Sequence, residues 1–167
     1  MNVELEKDER IEDLQCEGLR IIQNKNLYTF TSDSVVLANF VKLKKSEIAV
    51  EIGTGSGVIS ILLAKKQPCK IIFGFEMQTD LFNMAKKSVK LNDIDNIFMY
   101  NDKVQNHENY IENGSVDVVY SNPPYKREGS AELNTNESRA IARHEKNLPL
   151  KDLVRSANEM LKFGGRF

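Results

Sequence analysis

The chain has 167 residues, room for one domain with a buried core and too little for two. Its 23 Lys and Arg against 24 Asp and Glu leave a net charge of −1, which excludes a protein that coats nucleic acid through bulk positive charge and allows only local contacts. With 41% hydrophobic and 28% charged residues it is a folding sequence, neither a disordered tail nor a collagen-like repeat.

The first ten residues carry charges where a signal peptide needs its apolar stretch, and no later apolar run approaches a membrane span. Cys16 and Cys69 are far apart and form no paired ligand motif, which argues against a zinc site and a disulfide staple and fits a cytoplasmic, reducing setting. The pattern predicts extended runs over 19–23 and 27–30 as a hairpin around Asn24-Lys25-Asn26. Thr31, Ser32 and Asp33 offer N-cap oxygens to a helix over 34–41 in which Val36, Leu37, Phe40 and Val41 share a face. Residues 1–45 thus form an N-terminal extension, and 46–167 a core.

In that core, strand-like runs over 48–52, 70–75, 96–100 and 116–120 alternate with helical periods. Leu81, Met84, Ala85 and Ser88 fall at i, i+3, i+4 and i+7, as do Leu150, Leu153, Val154 and Ala157, and this second helix is expected to reach Leu161. The order implies an α/β fold, a mostly parallel sheet with helices on both faces whose ligands sit beyond the carboxyl ends of the strands. The stretch 126–147 reads as a surface loop.

The strand ends carry the chemistry. After the first comes Gly53-Thr54-Gly55-Ser56-Gly57, where glycines let the backbone turn sharply and approach a ligand at a helix N-terminus. A dinucleotide fingerprint needs glycine where Val58 stands, and the spacing instead resembles the first motif of class I S-adenosylmethionine-dependent methyltransferases, a Rossmann-like family. Glu76 ends the second strand, where a carboxylate can accept hydrogen bonds from both ribose hydroxyls. Asp102 follows the third, and the resemblance implies that it faces the exocyclic amine of the cofactor adenine. Taken alone, either acid is equally an ordinary helix cap or a solvated strand end.

The fourth strand runs into Asn122-Pro123-Pro124-Tyr125. An exocyclic amine has its lone pair delocalised and attacks a sulfonium methyl poorly unless it is held out of conjugation. The Asn122 side-chain carbonyl and the Pro123 backbone carbonyl can accept its protons, the two prolines stiffen the turn, and the Tyr125 ring can stack on a flat substrate. The plain alternative is a strand stop. The motif resembles that of the amino-group methyltransferases, which include N6-adenine enzymes and N5-glutamine enzymes of release factors, and it does not separate them.

Two further regions are similar to the bacterial valine-tRNA adenine N6-methyltransferases: 136–145, with Ala142-Arg143-His144-Glu145, and the N-terminal stretch from Glu9 through Phe40. That resemblance implies a tRNA anticodon loop as partner, methylation of the adenine 3′ of the anticodon at position 37, S-adenosyl-L-methionine as cofactor and no metal. It places Gly53, Thr54, Gly55, Gly57, Glu76, Asp102 and Asn122 at the cofactor and Asn122, Pro123, Pro124 and Tyr125 at the target base. Thr31 and Asp33 resemble cofactor-proximal positions, although capping explains them as well. An RNA loop suits the chemistry because its bases are already partly unstacked. Lys126, Arg127, Arg139, Arg143 and Lys146 offer phosphate contacts, or with Glu128, Glu132, Glu137 and Glu145 only a solvated mixed-charge loop. His144 can be a base contact or a structural hydrogen bonder.

A glutamine methyltransferase and a non-catalytic S-adenosylmethionine-binding module are the alternatives. The first resembles this core with a separate helical domain ahead of it, for which about 45 residues leave little room. Only four strands are readable, and Gly164-Gly165-Arg166-Phe167 reads as the opening of a fifth. The expectation is a fragment lacking C-terminal strands, with an unpaired edge on 116–120 prone to self-association.

Overall fold

The computed structural model describes residues 3–123 and 148–167. The chain begins with β1 (Glu9–Asp13), β2 (Arg20–Asn24) and α1 (Ser32–Phe40). It continues through β3 (Ile48–Ile52), α2 (Val58–Lys66), β4 (Ile71–Phe75), α3 (Thr79–Leu91) and β5 (Ile97–Tyr100). A 3-10 segment (Val104–Asn109), β6 (Val116–Ser121), α4 (Leu150–Met160) and β7 (Leu161–Arg166) complete it. β1 and β2 form an antiparallel pair, and the other strands make one sheet in the order β5-β4-β3-β6-β7, with every pairing parallel.

A parallel sheet must be covered on both faces, and alternation along the strands divides its side chains between two cores. Ala49, Ile72, Val118 and Tyr120 pack with Ala38 of α1 and Ile61 and Leu62 of α2. Val50, Ile52, Phe75 and Val119 pack on the opposite face with Leu153, Ala157 and Met160 of α4. Val116 sits in this second core although its parity matches Val118, and the pairing with β7 is irregular between these two residues. A fully buried Leu or Met contributes about 1.5–3 kcal/mol, so Leu153 and Met160 are main anchors of α4 on the sheet.

The N-terminal hairpin differs from the expected one. Residues 20–24 are a strand, but they pair with 9–13 in register Glu9↔Asn24 to Asp13↔Arg20, and 27–30 is not a strand. The turn is made by 14–19, where Gln15, Glu17 and Gly18 all adopt positive φ and the Leu14 N–H donates to the Leu19 carbonyl. The outer edge of β2 is capped by side chains of α3: Ser88 Oγ accepts from the Ile22 N–H at 3.0 Å and Asn92 Oδ1 from the Arg20 N–H at 2.8 Å. The Phe30 N–H goes to Gln23 Oε1 instead of to a ladder.

Two further expectations are corrected. In α1, Leu37 and Val41 face the core as predicted, but Val36 and Phe40 are 66% and 80% exposed. The inner face is instead set by Ser34 and Ala38, one turn apart and small enough to sit close beneath their neighbours. Thr31 occupies the N-cap position without a side-chain capping bond, and its carbonyl accepts from the Ser34 N–H. At the other end, residues 161–166 form a full strand pairing with β6, so the edge expected to be unpaired lies inside the sheet. Lys162 strengthens that seam by donating to Asp117 Oδ1 at 2.9 Å, while Asp117 Oδ2 accepts from the Ile48 N–H at 2.8 Å. Among the described residues no helix is long and apolar enough to cross a membrane.

Candidate active site

Gly53, Thr54, Gly55, Gly57, Glu76, Asp102, Asn122 and Pro123 lie at the carboxyl ends of β3, β4, β5 and β6, where an open parallel sheet binds its ligands, and Thr31 and Asp33 lie at the start of α1. The turn after β3 is tied to β4: the Gly53 and Thr54 N–H groups both donate to the Phe75 carbonyl, at 2.9 and 3.1 Å. Gly53 and Gly57 have φ of +73° and +86°, a region that strains any residue with a Cβ. They differ in surroundings. A Cβ on Gly57 would lie 3.3 Å from Ala85 Cβ and from Met99 Cε, whereas one on Gly53 would meet nothing within 4 Å. Gly57 therefore serves the packing of α2 against α3 and β5, and Gly53 opens onto free space.

That space is a cleft lined by Ile52, Gly53, Phe75, Glu76, Asp102 and Leu148. Glu76 is buried, and its carboxylate accepts from the Gly55 N–H at 2.9 Å and the Gln78 N–H at 2.9 Å. Each oxygen keeps a second lone pair, the number that a ribose diol requires. The strand ends are laced further by Glu76 N–H to the Tyr100 carbonyl and by Asn101 Nδ2 to the Glu76 carbonyl, at 3.0 and 2.9 Å.

Asp102 accepts from the Lys103 N–H and Asn106 Nδ2 at Oδ1, each at 2.7 Å, and from the Tyr110 hydroxyl at Oδ2, at 3.0 Å. Partial burial pushes its carboxyl up, but these donors and the Lys103 charge outweigh burial and hold it below the usual range, so it stays ionised as an acceptor. Tyr110, which sequence reasoning missed, stacks on Tyr100 at 4.3 Å and meets Phe75 edge-on. The Thr54 hydroxyl, at 3.3 Å from the Phe75 carbonyl, faces inward, which leaves its backbone as the part that can meet a ligand.

At the end of β6, Ser121 Oγ donates to the Ile52 carbonyl at 2.8 Å, so the residue preceding Asn122 is locked to the strand that carries the glycine turn. Asn122 Nδ2 donates to Ser34 Oγ on α1 at 3.1 Å. Ser34 was not among the expected residues; Thr31 and Asp33 on the same turn were. Tyr28 was missed too, and its ring lies 3.8 Å from where a Gly55 Cβ would stand. Neither has a motif of its own, because each comes to the site only through the path of 27–34 across the strand ends. Pro124, Tyr125, Lys126, Arg127, Arg139, Arg143, His144 and Lys146 lie outside the described residues. Among the described residues no group of three or more His, Cys, Asp or Glu could hold a metal ion.

The chain is 34% identical over 113 residues to a protein of Methanocaldococcus jannaschii that carries the name protein N5-glutamine methyltransferase, covering 67% of this chain and 54% of that one. It is 27% identical over 148 residues to a tRNA1(Val) (adenine(37)-N6)-methyltransferase of a Flavobacteriaceae bacterium, covering 87% and 60%. It therefore spans between half and two thirds of the length of these relatives. In fold it is similar to the crystal structure of M. jannaschii TYW2 in complex with AdoMet, with a TM-score of 0.65 at 15% identity over 96% of this chain and 61% of that one. A family model described as methyltransferase small domain matches residues 29–167, which takes in α1, the glycine turn and every strand of the parallel sheet. The five-stranded sheet with its candidate site residues at the strand ends thus has a family: the chain belongs to the methyltransferase small domain family.

Proposed function

We propose that this chain carries the cofactor-binding and amine-positioning part of an S-adenosylmethionine-dependent methyltransferase. Its substrate in this reading is the N6 amine of an adenine in a tRNA anticodon loop, position 37 of valine tRNA. The observation that carries the reading is a cleft at the glycine turn lined by Gly53, Glu76 and Asp102, with Asn122 following Ser121, whose hydroxyl is bonded to the end of β3. It is supported by similarity to tRNA1(Val) (adenine(37)-N6)-methyltransferases over 87% and 81% of the chain.

The residues present fit the cofactor. The open side of Gly53 accommodates an approaching ligand, the two Glu76 oxygens suit a ribose diol, and ionised Asp102 suits an adenine amine. Gly55 and the Thr54 backbone would border its methionine part. S-adenosylmethionine supplies the electrophilic methyl carbon. This chain's task is then to make a poor nucleophile competent. Asn122 Oδ1 and the Pro123 carbonyl accept hydrogen bonds from the two amine N–H groups, hold them out of the base plane and so aim the nitrogen lone pair at the methyl group. Pro124 would stiffen the turn and Tyr125 would stack on the base.

An amide nitrogen of glutamine poses the same chemical problem, and the similarity to the M. jannaschii protein favours a protein glutamine as second substrate reading, with a release factor as the candidate. The test offers the full-length protein labelled S-adenosylmethionine with an unmodified valine tRNA transcript and, separately, with a release factor. The expected product is N6-methyladenosine in the tRNA, and Asn122→Ala should lower the single-turnover rate by about two orders of magnitude with cofactor affinity retained. Methylglutamine in the release factor would replace the substrate, and an unchanged rate in the variant would reduce the tetrapeptide to a strand stop.

A further inference from the structure

The side-chain amide of Asn122 has two ends of opposite hydrogen-bonding character, and only the carbonyl end can accept a hydrogen bond from an amine. Rotation by half a turn would present NH2 to the substrate and repel it. The fold engages the NH2 end. Asn122 Nδ2 donates to Ser34 Oγ at 3.1 Å, and Ser34, on the first turn of α1, is only 3% exposed. We infer that Ser34 is a positioning residue, which binds the Asn122 NH2 group and thereby turns Oδ1 toward the target amine.

Both partners are held by their own elements, so the contact transmits orientation. Ser34 is anchored through its N–H to the Thr31 carbonyl, and Ala38 one turn on is buried against the α2 side of the sheet. Asn122 follows Ser121, whose hydroxyl is fixed to the end of β3. Ser34 does not line the cleft of Gly53, Glu76 and Asp102, so its effect belongs to the methyl-transfer step and not to cofactor binding. The inference rests on the proposed role of Asn122 as amine acceptor.

The test uses the full-length protein and three variants: Ser34→Ala, Asn122→Ala and the double. With valine tRNA transcript, Ser34→Ala should lower the single-turnover rate about three- to tenfold, the value of one ordinary hydrogen bond, and leave S-adenosylmethionine affinity and thermal midpoint near wild type. In the Asn122→Ala background it should cost nothing more, since the group it orients is gone. Independently of activity, the Asn122 side-chain NH2 resonances of the 15N-labelled protein, identified by their loss in Asn122→Ala, should shift and exchange faster in Ser34→Ala. An unchanged amide spectrum, a wild-type rate in Ser34→Ala, or a full additional loss in the double variant overturns the inference. A wild-type rate in Asn122→Ala overturns the functional reading instead, and the spectrum still decides the contact.

Discussion

Glu51 is a carboxyl group without water around it. It is 1% exposed on the central strand, Ser60 donates to it from α2, and the Tyr120 hydroxyl lies 2.9 Å from Ser60 Oγ. Burial pushes its pKa up from an ordinary 4.5 to about 8, against the pull of Ser60 and with a small push from the Glu76 charge. The same burial lifts the Tyr120 phenol well above its usual range, so both groups are neutral near neutrality and the cluster is a hydrogen-bonded plug between β3, β6 and α2. Because the folded value is raised, the native state binds the extra proton. Its stabilising effect is complete below about pH 4.5 and is lost as pH rises through about 8. Glu51→Gln copies the protonated form and has nothing to ionise. Relative to that variant, wild type should lose on the order of a few kcal/mol of stability between pH 5 and pH 9. Denaturant titrations at both pH values measure it, and parallel behaviour of the two proteins would show that Glu51 is ionised in the fold.

At the level of elements, the glycine turn separates packing from the proposed binding. Gly57→Ala adds a Cβ in a left-handed conformation and sets it 3.3 Å from Ala85 Cβ and Met99 Cε, so these neighbours must give by a few tenths of an ångström. Gly53→Ala has the conformational strain alone. The expected loss of stability is about 1–3 kcal/mol for Gly57→Ala and less for Gly53→Ala, whereas cofactor affinity should fall more in Gly53→Ala. Thermal melts with and without S-adenosylhomocysteine check both orders, and the reverse ranking in stability would reject the packing role of Gly57. The turn and its strands were legible in the sequence for the same reason that they are stable. The expected runs 48–52, 70–75, 96–100 and 116–120 lie within a residue of β3 to β6 at each end, because a strand covered on both faces is a continuous apolar run. β1 was not, since Glu-Arg-Ile-Glu-Asp has no alternation and is placed by a left-handed turn and by Lys87 of α3, which donates to Glu9 and Glu6. The inner face of α1 also escaped notice, for the apolar count favours Val36 and Phe40 while close approach favours Ser34 and Ala38. In the site, Gly53, Glu76, Asp102 and Asn122 could be placed because each follows a readable strand. Ser34, Tyr28 and Tyr110 depend on contacts between segments distant in sequence.

Across the whole molecule, the proposed ligand contacts are confined to one end of the sheet and the β1–β2 pair lies away from them. The cleft draws on the ends of β3, β4 and β5 and on Leu148, just before α4. The hairpin packs elsewhere, with Ile22 of β2 against Leu81, Met84 and Leu91 of α3 and with its edge closed by Ser88 and Asn92. A ligand that binds only the folded state slows every amide that exchanges by global unfolding, whereas amides that open locally respond only if the ligand touches the opening segment. The turn at 53–57 is such a segment on β3, because its amides bond to the Phe75 carbonyl and the Glu76 side chain rather than to a ladder. Saturation with S-adenosylhomocysteine should therefore slow hydrogen exchange most at 53–57, 76–78 and 101–106, and leave the fast-exchanging amides of 9–18 unchanged. Mass-spectrometric exchange on peptides covering these ranges reads the pattern directly. Protection centred on 9–18, or absent from 53–57, would move the cofactor away from the carboxyl ends of the strands and with it the alignment of Glu76, Asp102 and Asn122 on which the proposed chemistry depends.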